Sequence, residues 1–108
     1  MNALKFLKLV LPSEGYYCWV TIKNKKVRQG FVTTIEALEQ KLKAEDAKGI
    51  DTYFACASFS EPTTRQSANV CKIKAFWFDI DAGPGKPYTD AETAASALDI
   101  FCETNNIP

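Results

Sequence analysis

The sequence contains no histidine, no C-x-x-C pair and no uninterrupted apolar stretch of the length that crosses a bilayer. With Cys18, Cys56, Cys71 and Cys102 far apart and no imidazole to join them, the ligand spacing of a zinc site is missing. Buried free thiols in a reducing compartment are therefore expected. Net charge is also missing, since 13 basic residues balance 13 acidic ones, which argues against a general polyanion binder. There is no internal repeat and no low-complexity segment. The run from Leu4 to Leu11 is broken by Lys5 and Lys8 and has no small-residue cleavage site, so it does not read as a secretory signal. A cytoplasmic protein with no membrane partner is the expectation.

What remains is a chain of 108 residues, 46% hydrophobic and 12% aromatic, enough for one packed core and read as a single unit over residues 1–108. The zero net charge hides an asymmetry. Residues 1–35 carry six basic residues against Glu14 alone, and the remainder carries seven against twelve acidic ones. Lys23, Lys25, Lys26 and Arg28 crowd one short region. They suit a surface that contacts nucleic-acid phosphates, and equally a solvated lysine-rich hairpin that protects a sheet edge.

The pattern predicts an α+β fold: a β-hairpin, a helix, two further strands and a second helix. Residues 16–23 are aromatic and β-branched, and a second run ends at Phe31-Val32 after Asn24-Lys25, which predicts the hairpin. Thr33-x-x-Glu36 is a capping box, Ile35, Leu38 and Leu42 keep helical spacing, and Gly49 supplies a stop, so a helix is predicted over 34–48. Residues 52–59 read as a buried strand followed by a polar loop containing Arg65 and Asn69. Residues 72–81 read as the strongest strand, apolar on both faces and hence central. After Gly83-Pro84-Gly85, Thr89-x-x-Glu92 predicts a helix to about residue 104, with Ala94, Leu98, Phe101 and Cys102 inward. Tyr16, Tyr17, Trp19 and Phe31 serve either as core packing or as platforms for template bases.

Asp79 and Asp81 carry the chemistry. Side chains alternate along a strand, so residues two apart share a face and present both carboxylates to one small volume. Two carboxylates held together repel unless a cation or strong donors offset them. Hard oxygens favour Mg²⁺ or Mn²⁺, which suits nucleotidyl transfer. The alternative is that both simply lead into a turn, where aspartate is common. An EF-hand fails because Pro84 and Asp90 stand where glycine and glutamate are required, and a Walker A loop fails at Ile80 and Pro87.

The run from Lys74 through Phe78-Asp79-Ile80-Asp81 and Gly83-Pro84-Gly85-Lys86 to Tyr88, with Phe101-Cys102 and Ile107-Pro108 beyond it, resembles the first signature segment of phage- and plasmid-type primase-polymerases of the archaeo-eukaryotic primase superfamily. Phe6-Leu7, Gly15-Tyr16-Tyr17, residues 53–59 and the stretch from Arg65 to Val70 resemble the N-terminal half of the same proteins, so the likeness spans the chain. It implies an N-terminal α/β module followed by the start of an incomplete RRM-like module. It also implies that Asp79 and Asp81 are catalytic ligands of Mg²⁺ or Mn²⁺, with single-stranded DNA template, nucleoside triphosphates and a helicase domain or protein as partners. Lys86, Arg65 and Asn69 become candidate nucleotide-binding residues. The family's phosphate-binding histidine and third metal-binding aspartate are not in this sequence, so the expectation is a fragment or remnant of a replication protein, inactive alone. The competing expectation is a noncatalytic nucleic-acid- or protein-binding module derived from that fold.

Overall fold

A computed structural model describes residues 1–107 and has the α+β architecture, in two compact units, Met1–Phe76 and Trp77–Pro108. The first unit is built on a hairpin. Strand β1 (Tyr17–Lys23) pairs antiparallel with β2 (Lys26–Val32), from Tyr17 opposite Val32 to Lys23 opposite Lys26. The two-residue turn holds Asn24 and Lys25 at φ of 50° and 64°, the left-handed pair that matches the twist of the strands. Strand β3 (Asp51–Phe54) pairs antiparallel with the other edge of β1, giving the order β2-β1-β3.

Two helices cover one face of this sheet. Helix α1 (Ala3–Val10) was not foreseen in the sequence; Asn2 Oδ1 accepts from the Lys5 N–H at 2.9 Å, and Leu11, preceding Pro12, leaves the helix in extended geometry. Helix α2 (Ile35–Asp46) is capped by Thr34, whose hydroxyl accepts from the Ala37 N–H at 3.1 Å. This corrects the Thr33–Glu36 box: the cap lies one residue further on. Gly49 ends the helix at φ 74°, with Ile50 N–H reaching back to the Glu45 carbonyl. Leu7, Leu11, Tyr17, Ile35 and Leu38 form the buried cluster between helices and sheet. The Tyr17 hydroxyl donates to the Pro12 carbonyl at 2.6 Å, which satisfies it inside that cluster, and burial pushes its pKa up.

The strand expected over 52–59 is two strands. β3 stops at Phe54, the chain bends through Ala55, Cys56 and Ala57, and β4 (Ser58–Phe59) pairs with β5 (Val70–Lys72). The bend lets one segment serve two partners: Ala55 N–H bonds the Cys18 carbonyl, and Phe59 exchanges both backbone bonds with Tyr16. Phe59, Cys18, Val20 and Ala57 form a second buried cluster on the face opposite the helices.

The predicted strand over 72–81 is the main correction. Only its first residue belongs to a strand, β5; residues 73–81 lie in no ladder, and Ile73 and Phe76 are 63% and 75% exposed. A central strand needs a hydrogen-bonded strand along each edge, and this segment joins no ladder among the described residues. The thiols also depart from expectation. All four are free, but Cys18 is the buried one, while Cys56 and Cys71 are exposed and Cys102 is half-buried.

In the second unit, helix α3 (Ala91–Thr104) begins at Asp90, not at the predicted Thr89 box; Asp90 Oδ1 accepts from the Thr93 N–H at 2.7 Å. That bond holds its carboxyl below the usual range. The helix ends near residue 104 as the sequence predicts, closed by Asn106 at φ 55° and by Ile107 N–H bonding the Cys102 carbonyl.

Candidate functional site

Asp79 and Asp81 sit just before a turn that their own sequence closes. Gly83 N–H bonds the Tyr88 carbonyl at 2.9 Å, Lys86 N–H bonds the Gly83 carbonyl at 3.1 Å, and Ala82 bridges to Tyr88. Gly83 and Gly85 have φ of 132° and 77°, conformations that glycine adopts without a Cβ clash. Phe78 and Ile80 line a small cavity with Tyr88, Ala97, Leu98 and Phe101, and the Phe78 and Phe101 rings meet edge to face at 5.7 Å. Ile80 is half-buried there, whereas Asp79 and Asp81 on either side of it are exposed. Alternation therefore holds locally, and both carboxylates lie off the face that packs on α3.

Neither aspartate is in an ion pair among the described residues. Two exposed carboxylates fit the donor chemistry of a hard divalent ion that keeps most of its waters. No third acidic, histidine or cysteine ligand joins them among the described residues, and Asp90, the next carboxylate along the chain, is committed to its helix cap. Lys86 is exposed in the turn.

The other sequence-selected residues lie in the first unit and have separate tasks. Asn69 organises the polar loop: its Nδ2 donates to the carbonyls of Glu61 at 2.8 Å and Thr64 at 2.7 Å, while its Oδ1 accepts from Glu61 N–H. Arg65 Nε donates to Gln29 Oε1 at 2.6 Å. Lys23, Lys26 and Arg28 are brought together, with Thr21, Asn24, Glu45 and Ile50, around a cleft of about 310 Å³; Lys25 stands apart in the turn. Sequence reasoning overlooked Glu45, although its spacing from Lys41 and Lys48 signalled an ion-pair cluster. The Glu45 carboxylate is buried and accepts from Lys41 Nζ at 3.0 Å and Lys48 Nζ at 3.3 Å; the Lys41 bond above all holds its pKa down.

The hairpin aromatics are packing residues. Tyr17 is in the core, Phe31 meets Phe59 edge to face at 5.7 Å, and Trp19 lies across Gly30 with Lys41 Nζ 4.4 Å from its ring centroid. Comparison of the chain with family models, curated proteins and solved structures finds no match.

Proposed function

We propose that this chain supplies the first two metal-binding carboxylates, Asp79 and Asp81, of a template-dependent nucleotidyltransferase of primase-polymerase type. The observation that supports it most is the alternation at 78–81: Phe78 and Ile80 lodge against α3, and the intervening and following aspartates stay exposed beside a glycine turn. In this proposal residues 73–81 are a strand whose ladder is completed by further residues, which begin an RRM-like module, and the complete protein copies single-stranded DNA in concert with a helicase. Mg²⁺ or Mn²⁺ bound there would polarise an attacking hydroxyl and neutralise the leaving pyrophosphate. Asp79 and Asp81 would fix the ion's position, and Lys86 would offset triphosphate charge. With two carboxylates and no histidine, the 108-residue chain is inactive by itself under this proposal.

The test is a chain extended by about one further domain piece, roughly a hundred residues, assayed for primer synthesis with Mn²⁺. Asp79→Ala and Asp81→Ala should each abolish synthesis, and undiminished activity in either variant refutes the assignment. On the present chain, Mn²⁺ should broaden NMR resonances around Asp79 at low metal concentration.

A noncatalytic nucleic-acid-binding role is favoured by the hairpin cleft, where Lys23 and Lys26 face each other directly across the ladder beside Arg28. Like charges so placed are mutually unfavourable and gain from a bridging phosphate. That role predicts salt-sensitive binding indifferent to Asp79→Ala and weakened by Lys23→Ala with Lys26→Ala.

A further inference from the structure

The three-stranded sheet is covered unevenly. Tyr17 and Trp19 meet the helices, as do Val32 and Phe54 beside them. On the opposite face, Ala57 and Phe59 cover Cys18, but beyond that point the surface opens. Val27 and Tyr53 are 57% and 51% exposed. Val20, Ile22, Val27, Tyr53, Ala55 and Arg65 line a groove of about 330 Å³ there.

Register fixes what meets in this groove. Gln29, Val20 and Tyr53 form one row across β2, β1 and β3. Arg65 is tied to the Gln29 end of the row by its Nε bond, and Tyr53 stands at the other end. Two strand spacings separate Gln29 from Tyr53, about 10 Å. Val20 and Ile22 give the space between an apolar floor. The guanidinium retains its terminal nitrogens as donors, in the fork that suits a phosphate. Its position is set by more than Gln29, because Asn69 braces the loop that carries it. Asp51, opposite Ile22, lies one row further along this face.

An exposed phenol ring, an apolar floor and a positioned guanidinium at that separation match alternating bases and phosphates better than they match an acidic peptide, which offers carboxylates but no flat ring to stack. We propose that this open sheet face binds single-stranded nucleic acid, with one base stacked on Tyr53 and a backbone phosphate on Arg65. The interaction requires neither metal nor Asp79 and Asp81. It also lies on the opposite face from Lys23, Lys26 and Arg28, whose register partners place them on the helix side. Wild-type affinity in Tyr53→Ala would leave both functional proposals above standing, whereas absence of any binding would also remove the noncatalytic nucleic-acid-binding one.

The experiment is fluorescence anisotropy of a short labelled oligothymidylate with the full 108-residue chain in EDTA at low salt, followed by a salt series. Saturable binding is expected. Tyr53→Ala should weaken it roughly 10- to 100-fold, as loss of one stacked base does, while Tyr53→Phe keeps the affinity. Arg65→Ala should flatten the dependence of log K on log salt by about 0.7, the share of one phosphate on a single strand, and Arg65→Lys should restore the slope. Both sites are on the surface, and circular dichroism with the two conservative variants separates lost binding from lost folding. Absence of binding overturns the proposal. So does wild-type affinity in Tyr53→Ala, or competition by polyglutamate as strong as that by unlabelled oligonucleotide. A concentration-dependent dimer that disappears in Tyr53→Ala would also overturn it, by assigning the face to a second copy.

Discussion

The hairpin over residues 16–32 and the segment over residues 73–81 carry similar strand signals in sequence, yet one is a ladder and the other is not. If anything, the second is the more apolar. The difference is the distance to a partner. β1 meets β2 after a two-residue turn, so the loop-closure cost is small and the backbone groups are satisfied at once. Residues 73–81 have no such neighbour in the described chain, and strand preference cannot supply one. An apolar, β-prone pattern thus identifies a segment able to form a strand, while pairing decides whether it does.

This contrast can be broken by mutation, and the largest effect is expected where the hairpin sheet meets its helices. Leu38 is completely buried, so Leu38→Ala should cost about 2–5 kcal/mol in urea unfolding of the first unit. A smaller loss would mean that the sheet stands without its helical cover. Gly30 comes next. A Cβ there would overlap the Trp19 ring, and Gly30→Ala should cost about 1–3 kcal/mol through displacement of that ring from Lys41. Retention of wild-type stability and Trp fluorescence would show that the ring has room elsewhere.

Acid sensitivity sharpens the comparison further. The folded-state pKa of Glu45 is depressed by Lys41 and Lys48, so its stabilising share is present above the ordinary glutamate value, near 4.3, and is lost as pH falls through the lower folded value. Wild-type protein should lose stability across that acid window, and Glu45→Gln should show a shallower decline there. An unchanged acid limb would assign the loss to other carboxylates. The smallest effect belongs to the segment outside any ladder. Phe76→Ser should change stability by no more than about 0.5 kcal/mol, and backbone amides over 73–81 should exchange rapidly while those of β1 are protected. Protection of that segment would reveal a pairing partner.

Much of the local structure was legible in the sequence. The hairpin turn, the stop at Gly49 and the end of α3 follow from residues within a few positions of each other, where dihedral preference and capping act. The caps were misplaced by one residue because Thr33 and Thr34, or Thr89 and Asp90, are adjacent hydroxyl or carboxylate acceptors of similar capacity. α1 was not legible, although Asn2 precedes Leu4, Leu7 and Leu11, because Lys5 and Lys8 break the apolar run in so short a helix. At the candidate site, the alternation of Phe78, Asp79, Ile80 and Asp81 was legible, but the exposed aromatic on the sheet was not. Tyr53 and Tyr17 look equivalent in sequence, and only the course of the chain put one under helices and the other in the open.

By itself, then, the sequence determined the hairpin, the stop at Gly49, the end of α3 and the placement of two carboxylates on alternate positions, because each depends on interactions among near neighbours. Tertiary structure alone decided which sheet face is covered, where the 51–59 segment bends to change partners, that Arg65 is tied to the Gln29 end of the row that holds Tyr53, and that 73–81 forms no ladder. Those outcomes depend on contacts between residues distant in the chain, whose free energy no local pattern encodes.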